Sequence, residues 1–117
     1  YSNIMLVNSL LHNLIQNGIK YSNMSLKKGK PFVKIDVKST KEGVIIKVSD
    51  NGHGIANEHL DKIFDMYFRV NNVVSGTGLG LYIVKHIVDE LNGNINVESQ
   101  LNRGTCFEIE LPNLINN

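Results

Sequence analysis

The chain has 117 residues, 42% of them hydrophobic and 20% charged, and a formal net charge of +1. That length supports one domain with a single core, and the near-neutral charge argues against nucleic acid or a membrane surface as the main partner. A lone cysteine, Cys106, excludes a disulfide framework and a cysteine-based metal site.

The residues given carry no signal-peptide pattern and no apolar run approaching the roughly 20 residues of a membrane helix, so a cytoplasmic location is expected for this stretch. Lysines bunch between Lys20 and Lys41, but no aromatic residues interleave with them as a stacking platform requires, so they read as a solvated basic face. The first residue is not Met and helical periodicity begins by residue 4, so a piece of a longer protein is expected.

Residues 3–22 read as an amphipathic helix, with Ile4, Val7, Leu10, Leu11, Leu14, Ile15 and Ile19 on one broad arc. Asn13, Asn17 and Lys20 form a separate stripe about 60° wide on the same spacing. Asparagine is a mediocre helix former, so this stripe is either an exposed polar edge or a set of metal and phosphate ligands on a rigid element. His12 and Gln16 point elsewhere, toward solvent.

After a polar turn over residues 23–30, Phe32 to Lys38 alternates as a half-buried strand, expected to lay Val33, Ile35 and Val37 on the helix. Lys41-Glu42-Gly43 connects it to a second, antiparallel strand, Val44 to Val48. That strand runs into Asp50-Asn51-Gly52-His53-Gly54-Ile55, which is either an ordinary D-N-G turn or a carboxylate held at a pocket wall. His53 has no second histidine at metal spacing and is expected to be exposed, so no zinc site is assigned.

Residues 58–66 read as a short helix with Leu60, Ile63 and Phe64 inward. A segment lacking strong periodicity then leads to Gly76-Thr77-Gly78-Leu79-Gly80-Leu81 and is a candidate lid. The glycine run opens a helix over residues 78–92 with Leu79, Ile83, Val84, Ile87, Val88 and Leu91 as its buried stripe, closed by Asn92-Gly93. Such a run is either a capping turn or a cradle of free N–H groups for an anion at a helix start. It is not a Walker loop, which needs G-K-[ST]. Asn94 to Ser99 and Thr105 to Leu111 form a closing hairpin, in which Cys106 is expected to be a buried structural thiol. Helices segregated on one face of a mixed, mainly antiparallel sheet make this an α+β two-layer sandwich.

Five of these segments stand in the order and spacing of the catalytic, ATP-binding domain of sensor histidine kinases, part of the group sharing the Bergerat ATP-binding fold. Asn13 to Ser22 resembles its asparagine box, Asp50 to Ile55 its first glycine box, and Ile63 to Val70 its phenylalanine box. Gly76 to Leu81 resembles the second glycine box, and Arg103-Gly104-Thr105 the closing glycine motif.

The resemblance implies roles position by position. Asn17 is similar to the residue that coordinates Mg²⁺ on the ATP phosphates, a role a single amide oxygen can fill because magnesium keeps several waters. Asn13 lies one turn earlier along the same phosphate region. Lys20 resembles the phosphate lysine and Tyr21 the ring beside the nucleotide. Asp50 resembles the acceptor for the adenine exocyclic amine, disfavouring guanine's carbonyl, and Thr105 supports the same base edge. Ile55, Ile63 and Phe68 belong to the apolar base slot, Gly52 and Gly54 of the first glycine box to nucleotide binding, Arg69 to the γ-phosphate, and the backbone of Gly76, Thr77, Gly78, Leu79, Gly80 and Leu81 to the phosphate wrap.

Hydrolysing relatives carry a glutamate at the position of Asn13, and an amide cannot serve as a general base. The resemblance therefore implies donation of the γ-phosphoryl group to a histidine on a dimerisation domain, and from there to a response regulator. No phosphoacceptor His-Glu context surrounds His12, His53, His59 or His86, so that acceptor is expected elsewhere in the full-length protein. The strand that precedes the first helix in the family has no counterpart here, the lid is short, and Gly18 replaces the usual alanine. A monomeric domain is expected. The alternatives are an ATP-hydrolysing switch of the same fold, a degenerate docking domain that needs no nucleotide, and a protein-serine kinase inhibitor of the anti-sigma type.

Overall fold

The computed structural model describes residues 3–23, 30–65 and 80–112. The side chain of Tyr21, together with Phe68, Arg69, the lid and Gly76 to Leu79, lies outside the described residues. Two helices, α1 (Asn3–Asn23) and α2 (Gly80–Glu90), pack on one another and on one face of a sheet. The strands are β1 (Val33–Ser39), β2 (Gly43–Asp50), β3 (Asn94–Gln100) and β4 (Gly104–Pro112). Their spatial order is β1-β2-β4-β3, and every ladder among them is antiparallel. This is the expected two-layer α+β sandwich. Among the described residues, no helix is long and apolar enough to cross a membrane.

Strand alternation sorts the side chains into two faces. Toward the helices lie the cross-strand rows Ile35-Val48-Phe107-Val97 and Val37-Ile46-Ile109-Ile95. Val48, Phe107, Ile46 and Ile109 in those rows are buried, and they meet Leu10 and Leu14 of α1, Val84, Ile87 and Val88 of α2, and Leu91 just past its end. The opposite, open face carries Lys34-Ser49-Cys106-Glu98 and Asp36-Lys47-Glu108-Asn96.

Four sequence expectations are corrected. Ile35 and Val37 face the helical side yet are 43% and 62% exposed, because β1 is the sheet edge and α1 lies mainly over β2. For the same reason the buried stripe of α1 is narrower than its apolar arc, leaving Ile4 and Ile19 exposed, and Ile83 of α2 is also exposed. Cys106 is half-buried on the open face, where the Ser49 hydroxyl donates to its sulfur at 3.3 Å. Thr105 and Phe107 take the inward positions on either side of it. The short helix expected over residues 58–66 is a 3₁₀ turn at Asn57–His59 followed by turns. Its bonds close on the third residue, as in Leu60 N–H to Asn57 O and Lys62 N–H to His59 O. So few residues give little return on the costly first α-turn, and the tighter turns still seat Ile63 in the core and Phe64 edge-on against Phe107.

Both ends of the strand pairs are tied locally. Thr40 and Gly43 exchange backbone hydrogen bonds around the β1–β2 turn. α2 closes with Asn92 at φ +59°, while the Gly93 N–H donates to Val88 O at 2.9 Å. The left-handed residue is thus Asn92 itself, a conformation asparagine tolerates better than most residues.

Candidate functional site

Asp50 is the last residue of β2 and pairs with Thr105 near the start of β4; each is only 8% exposed. A charged group so placed requires compensation. The Gly52 N–H donates to Asp50 Oδ1 at 2.8 Å, closing a tight turn just past the strand. Burial pushes the Asp50 carboxyl above the ordinary carboxylate range, while the Gly52 N–H, the nearby His53 and the Thr105 N–H pull it back. The result is a buried acceptor fixed in direction at one end of the central strand pair.

The loop after Asp50 is held against the β3–β4 turn. Gly54 has φ +77°, and a Cβ there would stand 2.1 Å from Gln100 O, so only glycine allows this approach. The Asn102 N–H donates to His53 O at 2.7 Å, and His53 Nδ1 lies 2.8 Å from Gly54 O. His53 is therefore half-buried between the two loops and not exposed as the sequence implied. Asn51 holds the segment leading into β1, accepting from Phe32 N–H at 2.9 Å and donating to Lys30 O at 3.0 Å.

A residue with no assigned part in the sequence reading ties these pieces together. The Ser99 hydroxyl on β3 lies 2.7 Å from Ile55 N, 2.9 Å from Gly104 O and 2.8 Å from the Thr105 hydroxyl. The available signal is that β3 alternates inward at Ile95, Val97 and Ser99, so a polar side chain ends an inward-facing series.

Asp50, Thr105, Ser99, Asn57, Leu60 and Arg103 line a cleft of about 570 Å³ at this end of the sheet. Its wall continues onto Ser49, Glu98 and Cys106 of the open face, and neither Asn13 nor Asn17 lines it. Ile55 and Ile63, expected in a base slot, are buried in the core beside it.

α1 connects that cleft to the start of α2. Its buried Gly18 packs against β1 and β2: a Cβ there would meet Val33 Cγ2 at 3.0 Å and the Asp50 Cβ at 3.7 Å. Five residues earlier, about 7.5 Å along the helix axis, Asn13 faces α2. Its Nδ2 donates to Ser9 O at 2.8 Å, and its Oδ1 stands 3.6 Å from where a Gly80 Cβ would lie. The amide hydrogen bond turns the oxygen toward the first residue of α2. Asn17, between these two points, and Lys20, just past Gly18, are both half-buried and continue the Asn13 stripe. The structure thus sets Asn13 against Gly80 and Gly18 against Asp50, with Gly52 and Thr105 beside Asp50, while Asn17, Lys20 and Leu81 are half-buried on the two helices.

The cleft offers a buried acceptor at Asp50, and a second polar point, Asn13 against Gly80, lies outside it along α1. Comparison with known proteins identifies the family. Residues 3–115 match the family described as histidine kinase-, DNA gyrase B- and HSP90-like ATPases. The sensor protein RprX of Bacteroides fragilis is 38% identical over 99% of the chain, which spans 22% of that relative's length. Among solved structures, the mycobacterial sensor histidine kinase MprB superposes with a TM-score of 0.79 at 25% identity, covering 92% of this chain and 72% of that one. Full-length ShkA in complex with AMPPNP superposes with a TM-score of 0.76 at 27% identity, over 92% of this chain and 21% of that one. The chain belongs to the histidine kinase-, DNA gyrase B- and HSP90-like ATPase family, as a catalytic, ATP-binding domain of the sensor histidine kinase type.

Proposed function

We propose that this chain binds Mg-ATP and presents the γ-phosphoryl group to a histidine on a dimerisation domain of its own full-length protein, for relay to a response regulator in the cytoplasm. The observation that carries this is Asp50: a buried carboxylate steadied by the Gly52 N–H, opening on a cleft and abutting α1 at Gly18. Such a group suits the exocyclic amine of adenine, with Thr105 beside it. Asn13, Asn17 and Lys20 on α1 and the backbone from Gly80 onward would hold the phosphates, and Asn17 would supply the protein's oxygen to magnesium. The metal neutralises phosphate charge when bound; the chain's own part is positioning and exclusion of water.

Asn13 favours transfer over hydrolysis. Its amide nitrogen is engaged with Ser9 O, and an amide oxygen has no basicity with which to activate water. Among the family's functional branches, this fits a kinase better than a hydrolysing switch.

Calorimetric titration with ATP and GTP, each with and without Mg²⁺, tests the reading on the chain and on Asp50→Asn. Adenine-selective, magnesium-dependent binding that weakens in the variant is the expected result. Absence of ATP binding at millimolar nucleotide would sink it and favour a docking domain that needs no nucleotide.

A further inference from the structure

We propose that Ser99 is the positioning residue for base selectivity: it takes the proton of the Thr105 hydroxyl, so that the pocket edge formed by Thr105 and Asp50 offers hydrogen-bond acceptors only. This rests on the nucleotide-binding reading above and goes beyond it by assigning a residue that acts through another.

Ser99 has one proton and two lone pairs for three partners. Ser99 Oγ lies within hydrogen-bonding distance of the Ile55 N–H, Gly104 O and the Thr105 hydroxyl. An amide N–H only donates, so Ser99 accepts from Ile55. A carbonyl only accepts, so the single Ser99 proton goes to Gly104 O. The contact between the two hydroxyls, at 2.8 Å, is then a hydrogen bond only if Thr105 is the donor. With its proton committed, Thr105 turns lone pairs to the cleft it lines. Asp50, its neighbour across the β2–β4 ladder, also presents carboxylate lone pairs.

An edge built only of acceptors complements a group carrying hydrogens and repels a carbonyl. Where Asp50 and Thr105 both meet the 6-substituent, they take the two hydrogens of a 6-amino group and oppose a 6-oxo group. Were Thr105 free to rotate, it could donate to a 6-oxo group and part of that discrimination would vanish. Ser99 thereby acts on selectivity through Thr105, while its bond to the Ile55 N–H fixes the loop that carries Gly54.

Dissociation constants for ATP and inosine triphosphate, measured on the chain and on Ser99→Ala, Thr105→Val, Thr105→Ser and the Ser99→Ala/Thr105→Val double variant, test this. The ATP-to-inosine-triphosphate preference is expected to fall about five- to tenfold in Ser99→Ala and in Thr105→Val, to fall no further in the double variant, and to be kept in Thr105→Ser. A ratio cancels losses common to both ligands, so general loosening of the loop leaves it unmoved. Equal weakening of both ligands in Ser99→Ala overturns the proposal, as does an unchanged ratio in Thr105→Val. Thermal melts check folding; if Ser99→Ala does not fold, Ser99→Cys, which keeps the side chain's shape but accepts hydrogen bonds poorly, takes its place with the same expected fall and the same overturning result. Wild type that binds both nucleotides equally removes the selectivity role but keeps the nucleotide site, whereas wild type that binds neither removes the nucleotide reading itself.

Discussion

The side-chain oxygen of Asn13 stands 3.6 Å from the position a Cβ would occupy on Gly80, the first residue of α2. That is an ordinary contact distance, so alanine fits at Gly80. Gly80→Ala should keep or raise thermal stability, by up to about 1 kcal/mol from helix propensity. The added methyl stands between Asn13 and the helix start, and nucleotide affinity should fall. Melting and titration on the same sample check both halves, and unchanged affinity would remove Gly80 from the phosphate approach.

Asp50 sets function against stability. Its carboxyl is raised by burial, so its favourable contribution to folding is complete below the ordinary aspartate range and is lost as pH rises through its raised value. At neutral pH the ionised, buried group therefore opposes folding. Asp50→Asn should be at least as stable as wild type at pH 7 while binding ATP more weakly. Its stability advantage should shrink on acidification toward about pH 4. Melts across that range read the sign directly, and an advantage that grows in acid would contradict it.

Gly54 and Gly104 hold the loops around the cleft. A Cβ at Gly104, where φ is +133°, would lie 2.0 Å from Asp50 O, and one at Gly54 would strike Gln100 O as described above. Because the obstacles are backbone and both residues have positive φ, Gly54→Ala and Gly104→Ala should each lose at least about 2 kcal/mol in denaturant unfolding. Losses below about 0.5 kcal/mol would show that the loops relax freely.

The edge of the sheet should be insensitive where the centre is not. Val37 on the edge strand β1 is 62% exposed, whereas Ile109 in the same cross-strand row, on the central strand β4 beyond β2, is fully buried. Val37→Thr is expected within about 0.5 kcal/mol of wild type, and Ile109→Ala about 2–5 kcal/mol below it. Equal losses would mean that β1 is packed as deeply as the sequence alternation first implied.

That contrast shows what could be read from the residues. Period-two alternation located four strands and their turns, because hydrogen-bonded ladders impose that period wherever a strand lies. It could not tell an edge strand from a central one, since Val33, Ile35 and Val37 alternate as well as Val44, Ile46 and Val48 do. Exposure there depends on where α1 comes to rest. Asp50, Gly52 and Gly54 were legible because a carboxylate and two glycines in close succession serve few purposes at a strand end. The helix expected over residues 58–66 failed because apolar spacing at Leu60, Ile63 and Phe64 is shared by α and 3₁₀ turns. Ser99 stayed hidden because its three partners, Ile55, Gly104 and Thr105, meet only when three segments fold together. Gly18 gave only a propensity penalty in sequence, and its purpose appears once Val33 is seen packed on the bare helix backbone.

The pairing of β2 with β4 has a kinetic consequence. Asp50 and Thr105 stand 55 positions apart in the chain and become neighbours only when the two innermost strands have zipped along their shared ladder. No local fragment can form that half of the cleft, so it arises late, after a large loop has closed. Conversely, opening it means parting the strands that carry Val48, Phe107 and Ile109 at the heart of the core. A ligand held there opposes global unfolding, so amide hydrogens along both central strands would exchange more slowly together, as one cooperative unit.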